Sequence, residues 1–335
     1  MRCRMEELGG SRYNPNNLTV LSQTKFEAHS NWISSTEFSK EGRVLTASWD
    51  KWVKIWEIES HTPDSPNDSI SHSLKKVHGH YCSKPKWLYD ATFTANEERV
   101  LAYGDLEELM VFSADLTTVT EISTKFGKIN KCSPSPNDAN MVVVSGAQRS
   151  AIFDLNTQQL VNSHEVPMSK SNCFVDYGNT ILFSSGSNLC IWDVRSQELQ
   201  VNPFQYTDCT NLIYNENTQL IAGSELNNLF TMDLRTNKIL RRNTRHHLIE
   251  IVDLKFSRDG IALLSCSRDF TAMLSGSENL LSWATFNSTG TSILSGAVSD
   301  DFSTVITSSM GLMNIWGVNC PLSLSTHVKS ARNLI

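Results

Sequence analysis

No run of about 18 apolar residues occurs in the sequence, so no stretch reads as a membrane-spanning helix. The opening MRCRMEELGG has no hydrophobic run of the kind a secretory leader needs. The eight cysteines, Cys3, Cys82, Cys132, Cys173, Cys190, Cys209, Cys266 and Cys320, lie at scattered spacings and none forms C-x-x-C. That pattern argues against a disulfide framework and for free, packed thiols in a reducing compartment, cytoplasmic or nuclear. Basic residues are outnumbered 29 to 35, a formal net charge of −6. A phosphate-backbone binder shows the opposite balance, so no nucleic-acid partner is expected. The motifs G-x-x-x-x-G-K-[ST], H-E-x-x-H and G-x-S-x-G are missing as well.

What the chain does have is repetition. CIWDVRS (190–196) is echoed by FTMDLRT (230–236). Large residues that close strand-like runs recur at Trp56, Phe112, Phe153, Trp192, Met232, a degenerate Ser275, and Trp316. The spacing is roughly 40 residues except between the first two, a length typical of repeat architectures. The excess falls in ESHTPDSPNDSISHS (59–73), whose Ser, Pro, Asp and Asn content predicts an inserted loop over about 59–77. Within the first unit Ile33–Phe38 alternates, SKEG turns, RVLTAS follows, Trp49-Asp50 turns, and KWVKIWEI closes. The sixth unit repeats this as IVDLKF, SRDG, IALLSCS, RD and FTAMLS. Short β-branched and aromatic runs between Asp, Gly and Asn turns predict four antiparallel strands per unit, a β-propeller blade.

On the strength of His29 followed by FSKEGRVLTASWDKWVKIW (38–56), the chain resembles the WD40-repeat family over residues 18–318. The resemblance implies an all-β, seven-bladed WD40 β-propeller, with residues 1–17 and 319–335 as tails. It also implies that LTVLSQTKF (18–26) supplies the missing outer strand of the last blade and closes the ring, leaving no open sheet edge. In this family a buried relay of His, Ser or Thr, Asp and Trp rigidifies the blade; here those roles fall on His29, Thr46, Asp50 and Trp56. The sixth unit retains Ser265, Asp269 and one of His246 or His247, with Ser275 where Trp is expected.

Three features invite chemistry. HGHYC places His78, His80 and Cys82 within metal-ligand spacing, but Gly79-His80 is also the dipeptide that opens such a unit, and no second ligand cluster accompanies it. No metal, cofactor or enzymatic activity is therefore expected. Ser133, in SPSP, sits where a blade turn is expected; Ser65, before Pro66 in the insertion, is the better candidate for modification.

Two docking surfaces are predicted. Trp32, Trp87 and Phe126 fall at matching positions entering the inner strands of the first three units, and Trp49 joins them on the top face. Arg268 and the stretch RRNTRHH, with Arg241, Arg242 and Arg245, predict a basic sector over the fifth and sixth units. Aromatic and Arg side chains are frequent binding hot spots, and such a face suits a peptide with apolar and acidic groups. On the bottom face, WDVR and MDLR place Asp193, Arg195, Asp233 and Arg235 at the ends of two third strands. This resembles the docking motif of substrate receptors of cullin-four ubiquitin ligases, where the Arg meets the ligase's linker protein. The same letters also make an ordinary turn into a fourth strand. Met232 replaces Trp in the second copy, and the first 17 residues are too short and polar for the helical segment many receptors use. The reading is a non-enzymatic protein-interaction scaffold, a subunit or adaptor of a larger complex, with the ligase receptor as its alternative. Homo-oligomerisation and membrane contact are not called for.

Overall fold

The computed structural model describes residues 18–61, 71–166, 169–176, 178–186, 188–196, 198–203, 209–233, 236 and 238–319. Its described segments are strands and turns. Five sheets have four antiparallel strands each. The second sheet runs Leu88–Phe93, Arg99–Gly104, Glu108–Ser113, Val119–Ser123, and the third Ile129–Pro134, Met141–Gly146, Arg149–Asp154, Gln159–Glu165. The fourth comprises Ser169–Val175, Thr180–Ser185, Asn188–Asp193 and Leu199–Pro203. The fifth comprises Cys209–Asn215, Leu220–Glu225, Asn228–Asp233 and Lys238–Asn243. The sixth comprises Ile251–Phe256, Ala262–Ser267, Thr271–Gly276 and Ser282–Asn287.

The first sheet has seven strands rather than forming two separate blades. Its order is Ser295–Val298, Thr304–Ser308, Met310–Asn319, Thr19–Phe38, Val44–Ser48, Trp52–His61, Ser71–Tyr81. The join is one 20-residue strand, Thr19–Phe38. From Thr19↔Asn319 to Glu27↔Leu312 and Trp32↔Met310 it pairs with the last strand; from Ile33↔Ser48 to Phe38↔Val44 it pairs with the next. Register shifts between Glu27 and Trp32, and between Ile33 and Ser35, are the bulges that let one strand serve both partners.

The inner strands stand side by side in a closed circle, from Thr19–Phe38 through Leu88–Phe93, Ile129–Pro134, Ser169–Val175, Cys209–Asn215, Ile251–Phe256 and Ser295–Val298 back to the first. Second strands such as VLTAS and ALLSCS are buried along their whole length because sheets cover both faces. Outer strands such as Val119–Ser123 are mostly exposed. The core lies between sheets: Leu45, Ala47, Val53 and Ile55 meet Leu88, Val100 and Phe112, while Leu264 and Phe286 meet Val305 and Trp316.

The insertion differs from expectation. Trp52–His61 and Ser71–Tyr81 pair out to His61↔Ser71 with one register shift, so the described residues of the expected loop, 59–61 and 71–77, prolong two paired strands. Its polar composition misleads because a hairpin standing beyond the blade needs little apolar burial, only its ladder of backbone bonds.

At the seam, Thr36 Oγ1 lies 2.9 Å from Ser295 Oγ and 2.7 Å from Ser308 Oγ, and all three residues are fully buried. Thr36→Val keeps the shape and removes the shared hydroxyl. Its cost is expected to be about 1–3 kcal/mol, from buried groups left short of a partner, read as a lower urea midpoint at unchanged m-value.

Candidate functional site

The unit from the first long strand to Trp56 is built around a hydrogen-bonded chain. Trp56 Nε1 donates to Thr46 Oγ1 at 2.9 Å, Thr46 Oγ1 lies 2.8 Å from His29 Nε2, and His29 Nδ1 lies 2.9 Å from Asp50 Oδ2. A carboxylate only accepts, so Nδ1 carries the proton and Nε2 accepts from Thr46. Burial lowers the His29 pKa, which keeps the ring neutral and fits that tautomer. Burial also opposes charge on Asp50, but His29 and the backbone N–H groups of Ser30 and Trp52 outweigh it and hold its pKa at about 2. The model of the WD domain, G-beta repeat, matches residues 20–57, the segment that carries this chain. Together with the propeller-like arrangement of sheets, this match supports a WD40-repeat protein. No curated protein matches the chain.

Elsewhere the propeller keeps the relay in part. In the sixth sheet His247, not His246, takes the role: Nε2 lies 2.8 Å from Ser265 Oγ, and Nδ1 lies 3.1 Å from Asp269 Oδ2 and 3.0 Å from Thr271 Oγ1. Ser275, in the Trp position, is buried with no hydrogen-bond partner for Oγ. Trp316 donates to Thr307 Oγ1 at 2.9 Å, a pair the sequence reading missed although T-S-S before the final Trp signals it. Trp192 is fully buried against Phe183, at 6.0 Å between ring centroids, and its N–H has no hydrogen-bond partner.

A second group, also not foreseen, lines the space inside the ring of inner strands. Glu37, Asp90, Lys131, Asp253 and Lys255 come from four different sheets and are partly exposed to that space. Lys131 Nζ lies 2.7 Å from Asp90 Oδ2, and Asp90 Oδ1 accepts from Ser35 at 2.6 Å. Asp253 Oδ2 accepts the Gly296 N–H at 3.2 Å. Burial disfavours charge on Lys131 and Lys255, but the surrounding carboxylates raise both pKa values and keep them ammonium groups, without the free lone pair a nucleophile needs. Burial pushes up the pKa of the thiols of Cys82, Cys132, Cys173, Cys190, Cys209 and Cys266, away from the reactive thiolate. Among the described residues no group of three or more His, Cys, Asp or Glu side chains is placed to hold a metal ion. His80 instead packs on Phe112 at 5.1 Å, with Nδ1 3.3 Å from the Leu116 carbonyl oxygen.

On the top face the structure brings three of the predicted aromatics together. Trp32 and Trp49 meet at 6.4 Å, and Trp49 and Trp87 at 5.7 Å. Each is half-buried, so the rings partly cover one another and still reach solvent. Trp49 N donates to the Trp32 carbonyl at 2.9 Å, and Lys86 Nζ sits 4.3 Å from the Trp87 ring centroid. Gly104 permits this arrangement, because a Cβ there would lie 2.2 Å from the Trp87 carbonyl oxygen. Phe126 is not part of the group; it packs on Phe153 at 6.2 Å and over Gly146.

The expected basic sector is corrected. Arg241 and Arg242 lie in the outer strand Lys238–Asn243, paired opposite Thr231 and Phe230, not in a top loop. Arg242 lies 3.9 Å from Glu225, and Arg268 lies 3.3 Å from Glu250, so carboxylates offset both guanidiniums. Arg245 remains exposed in the loop.

On the opposite face, Asp193 Oδ1 accepts the N–H groups of Arg195 at 2.8 Å and Ser196 at 3.1 Å, a turn closed by its own side chain. Asp154 does the same for Asn156 and Thr157. Asp193 of the sequence echo is thus a turn-former. Arg195 is exposed, 3.7 Å from Asp193, while Asp233 ends its strand and Arg235 lies outside the described residues. Ser65 lies outside them too. Ser133 is in a strand, donating to the Asn172 carbonyl at 3.0 Å, rather than in a turn.

Acid is expected to loosen the propeller in two stages. Burial lowers the pKa of His29, His72, His246 and His247 below 6.5, that of His246 to about 4. The unfolded chain therefore takes up protons first, and stability is lost as pH falls from 6.5 toward the folded values. Asp50 adds a loss from 3.8 down to about 2. Urea midpoints at about pH 7.5 and about pH 5 should differ, and less so in His246→Gln. Equal midpoints at both values would contradict this account.

Proposed function

We propose that this WD40 protein is a non-enzymatic interaction scaffold, a subunit or adaptor that offers its top face to other proteins in the cytoplasm or nucleus. The observation that carries the reading is the Trp32–Trp49–Trp87 cluster, three large rings held at the turn tips by backbone bonds and half open to solvent. Rings fixed before binding lose little rotamer freedom when a partner covers them. We infer seven blades by taking the seven-stranded sheet as two that share the strand Thr19–Phe38. A closed ring keeps the turns in fixed register with one another.

The alternative, a substrate receptor docking a ligase linker through the other face, has one supporting observation, the exposed Arg195 guanidinium. Quantitative co-purification from cells separates the two. For the scaffold, Trp49→Ala/Trp87→Ala loses partners that Arg195→Ala/Arg235→Ala retains, with melting curves showing that both variants are folded. For the receptor, the Arg variant loses ligase components. The same partners with all three proteins would contradict both.

A further inference from the structure

The top face carries a second apolar group that none of the docking residues above includes. Leu248 is 87% exposed, and Leu226, Met310, Ile249 and Phe270 range from 57% down to 45%. Scattered exposed apolar residues are ordinary on a soluble protein. These five are not scattered: each sits in or beside a turn at the same end of the fifth, sixth or first sheet.

Hydrogen bonds hold the Leu226 turn and the loop bearing Leu248 and Ile249 together. The Leu226 carbonyl accepts the Ile251 N–H at 2.8 Å, and Asn227 Nδ2 donates to the His247 carbonyl at 3.0 Å. Leu248 N donates to Asp269 Oδ2 at 2.8 Å, and the Ile249 carbonyl accepts from Ser267 Oγ at 3.2 Å. The backbone of the 244–250 loop is therefore pinned on both sides while its two aliphatic side chains face solvent. Met310 pairs opposite Trp32 and carries the surface on to the Trp cluster.

Two of the five are also strained. Leu226 has φ 52° and Phe270 has φ 71°, a left-handed conformation that bulky side chains rarely adopt and that Gly or Asn takes with less strain. Strained residues that are also exposed and apolar gain nothing for the fold by being Leu and Phe, and such strain tends to mark functional positions.

Charge sets the complement. Glu250 lies 3.3 Å from Arg268, whereas Arg245, in the same loop, is exposed and donates its backbone N–H to Asn228 Oδ1 at 3.2 Å. A ligand lying here meets an apolar floor with an open guanidinium at its margin.

We propose that Leu226, Leu248, Ile249 and Phe270 form a docking surface for a segment of a partner protein bearing bulky aliphatic or aromatic side chains and a carboxylate that meets Arg245. This rests on the scaffold reading above and places the main contact over the fifth and sixth sheets rather than on the Trp cluster.

The test titrates the full chain with three synthetic peptides of equal length and apolar content, one acidic, one neutral and one basic. The acidic peptide should bind most tightly, and Leu248→Ser/Phe270→Ser should weaken it by about tenfold or more. Arg245→Ala should remove the preference for acidic over neutral. Phe270→Asn supplies a readout that a merely structural role would not give: its unfolding midpoint should rise as strain is relieved, while peptide binding falls. Equal binding of the three peptides, variants that bind like wild type, or a wild-type dimer by sedimentation that buries this surface would each overturn the proposal. If cellular partners are lost with Trp49→Ala/Trp87→Ala but kept with Leu248→Ser/Phe270→Ser, this inference fails and the scaffold reading stands.

Discussion

The pairing of Thr19–Glu27 with Leu312–Asn319 joins the two ends of the described chain, and the arrangement of every other sheet depends on it. Bringing such distant segments together costs ~5 kcal/mol of closure entropy, since the cost grows only with the logarithm of chain length. The seam offsets that cost with buried side chains, Ile33, Ile306, Met313 and Ile315 among them, each contributing about 1.5–3 kcal/mol. Because the same strand continues to Phe38 and pairs with Val44, the seam and the first repeat unit are one covalent and hydrogen-bonded piece. The His29–Thr46–Trp56 chain and the Thr36–Ser295–Ser308 hydroxyls both engage that strand and help fix it in place.

Closure also explains the charges inside the ring. Glu37, Asp90, Lys131, Asp253 and Lys255 belong to four different sheets and meet only because the circle of inner strands is complete. The lysines stay charged because the carboxylates surround them, and the Lys131–Asp90 contact at 2.7 Å ties neighbouring sheets together. Such pairs contribute less to net stability than their Coulomb attraction implies, because desolvation opposes it, but they do favour one arrangement of the sheets. A fixed arrangement is what the top face requires: turn tips from separate sheets present Trp32, Trp49, Trp87, Leu248 and Phe270 at set positions.

Much of this was legible in the residues. Alternation in Ile33–Phe38, the turn at Trp49-Asp50 and the His29-to-Trp56 spacing point to the relay, because a buried indole and imidazole need partners and few residue types can supply them. LTVLSQTKF, a strand with no unit of its own, pointed to the seam. Three things were not readable. Residues 59–61 and 71–73 looked like loop because they adjoin a Pro-, Asp- and Asn-rich stretch of poor strand formers, yet Glu59, Ser60 and His61 pair with Ser73, His72 and Ser71. Arg241 and Arg242 read as a loop for the same reason, although Thr231 and Phe230 hold them in register. The charges within the ring and the exposed Leu226, Leu248 and Phe270 leave no local signature; which side chains meet, and which stay uncovered, is decided by the ring as a whole.

Native-state hydrogen exchange on the full chain tests the seam most directly. The account predicts that the Gln23, Lys25 and Phe26 amides which exchange slowly open with the same free energy as those of Val142–Val144 in the third sheet, because opening the seam unfolds the ring. Exchange of the seam amides at a clearly lower free energy, with the third sheet still protected, would mean that the strand frays independently. The joined ends would then not be what the rest of the structure depends on.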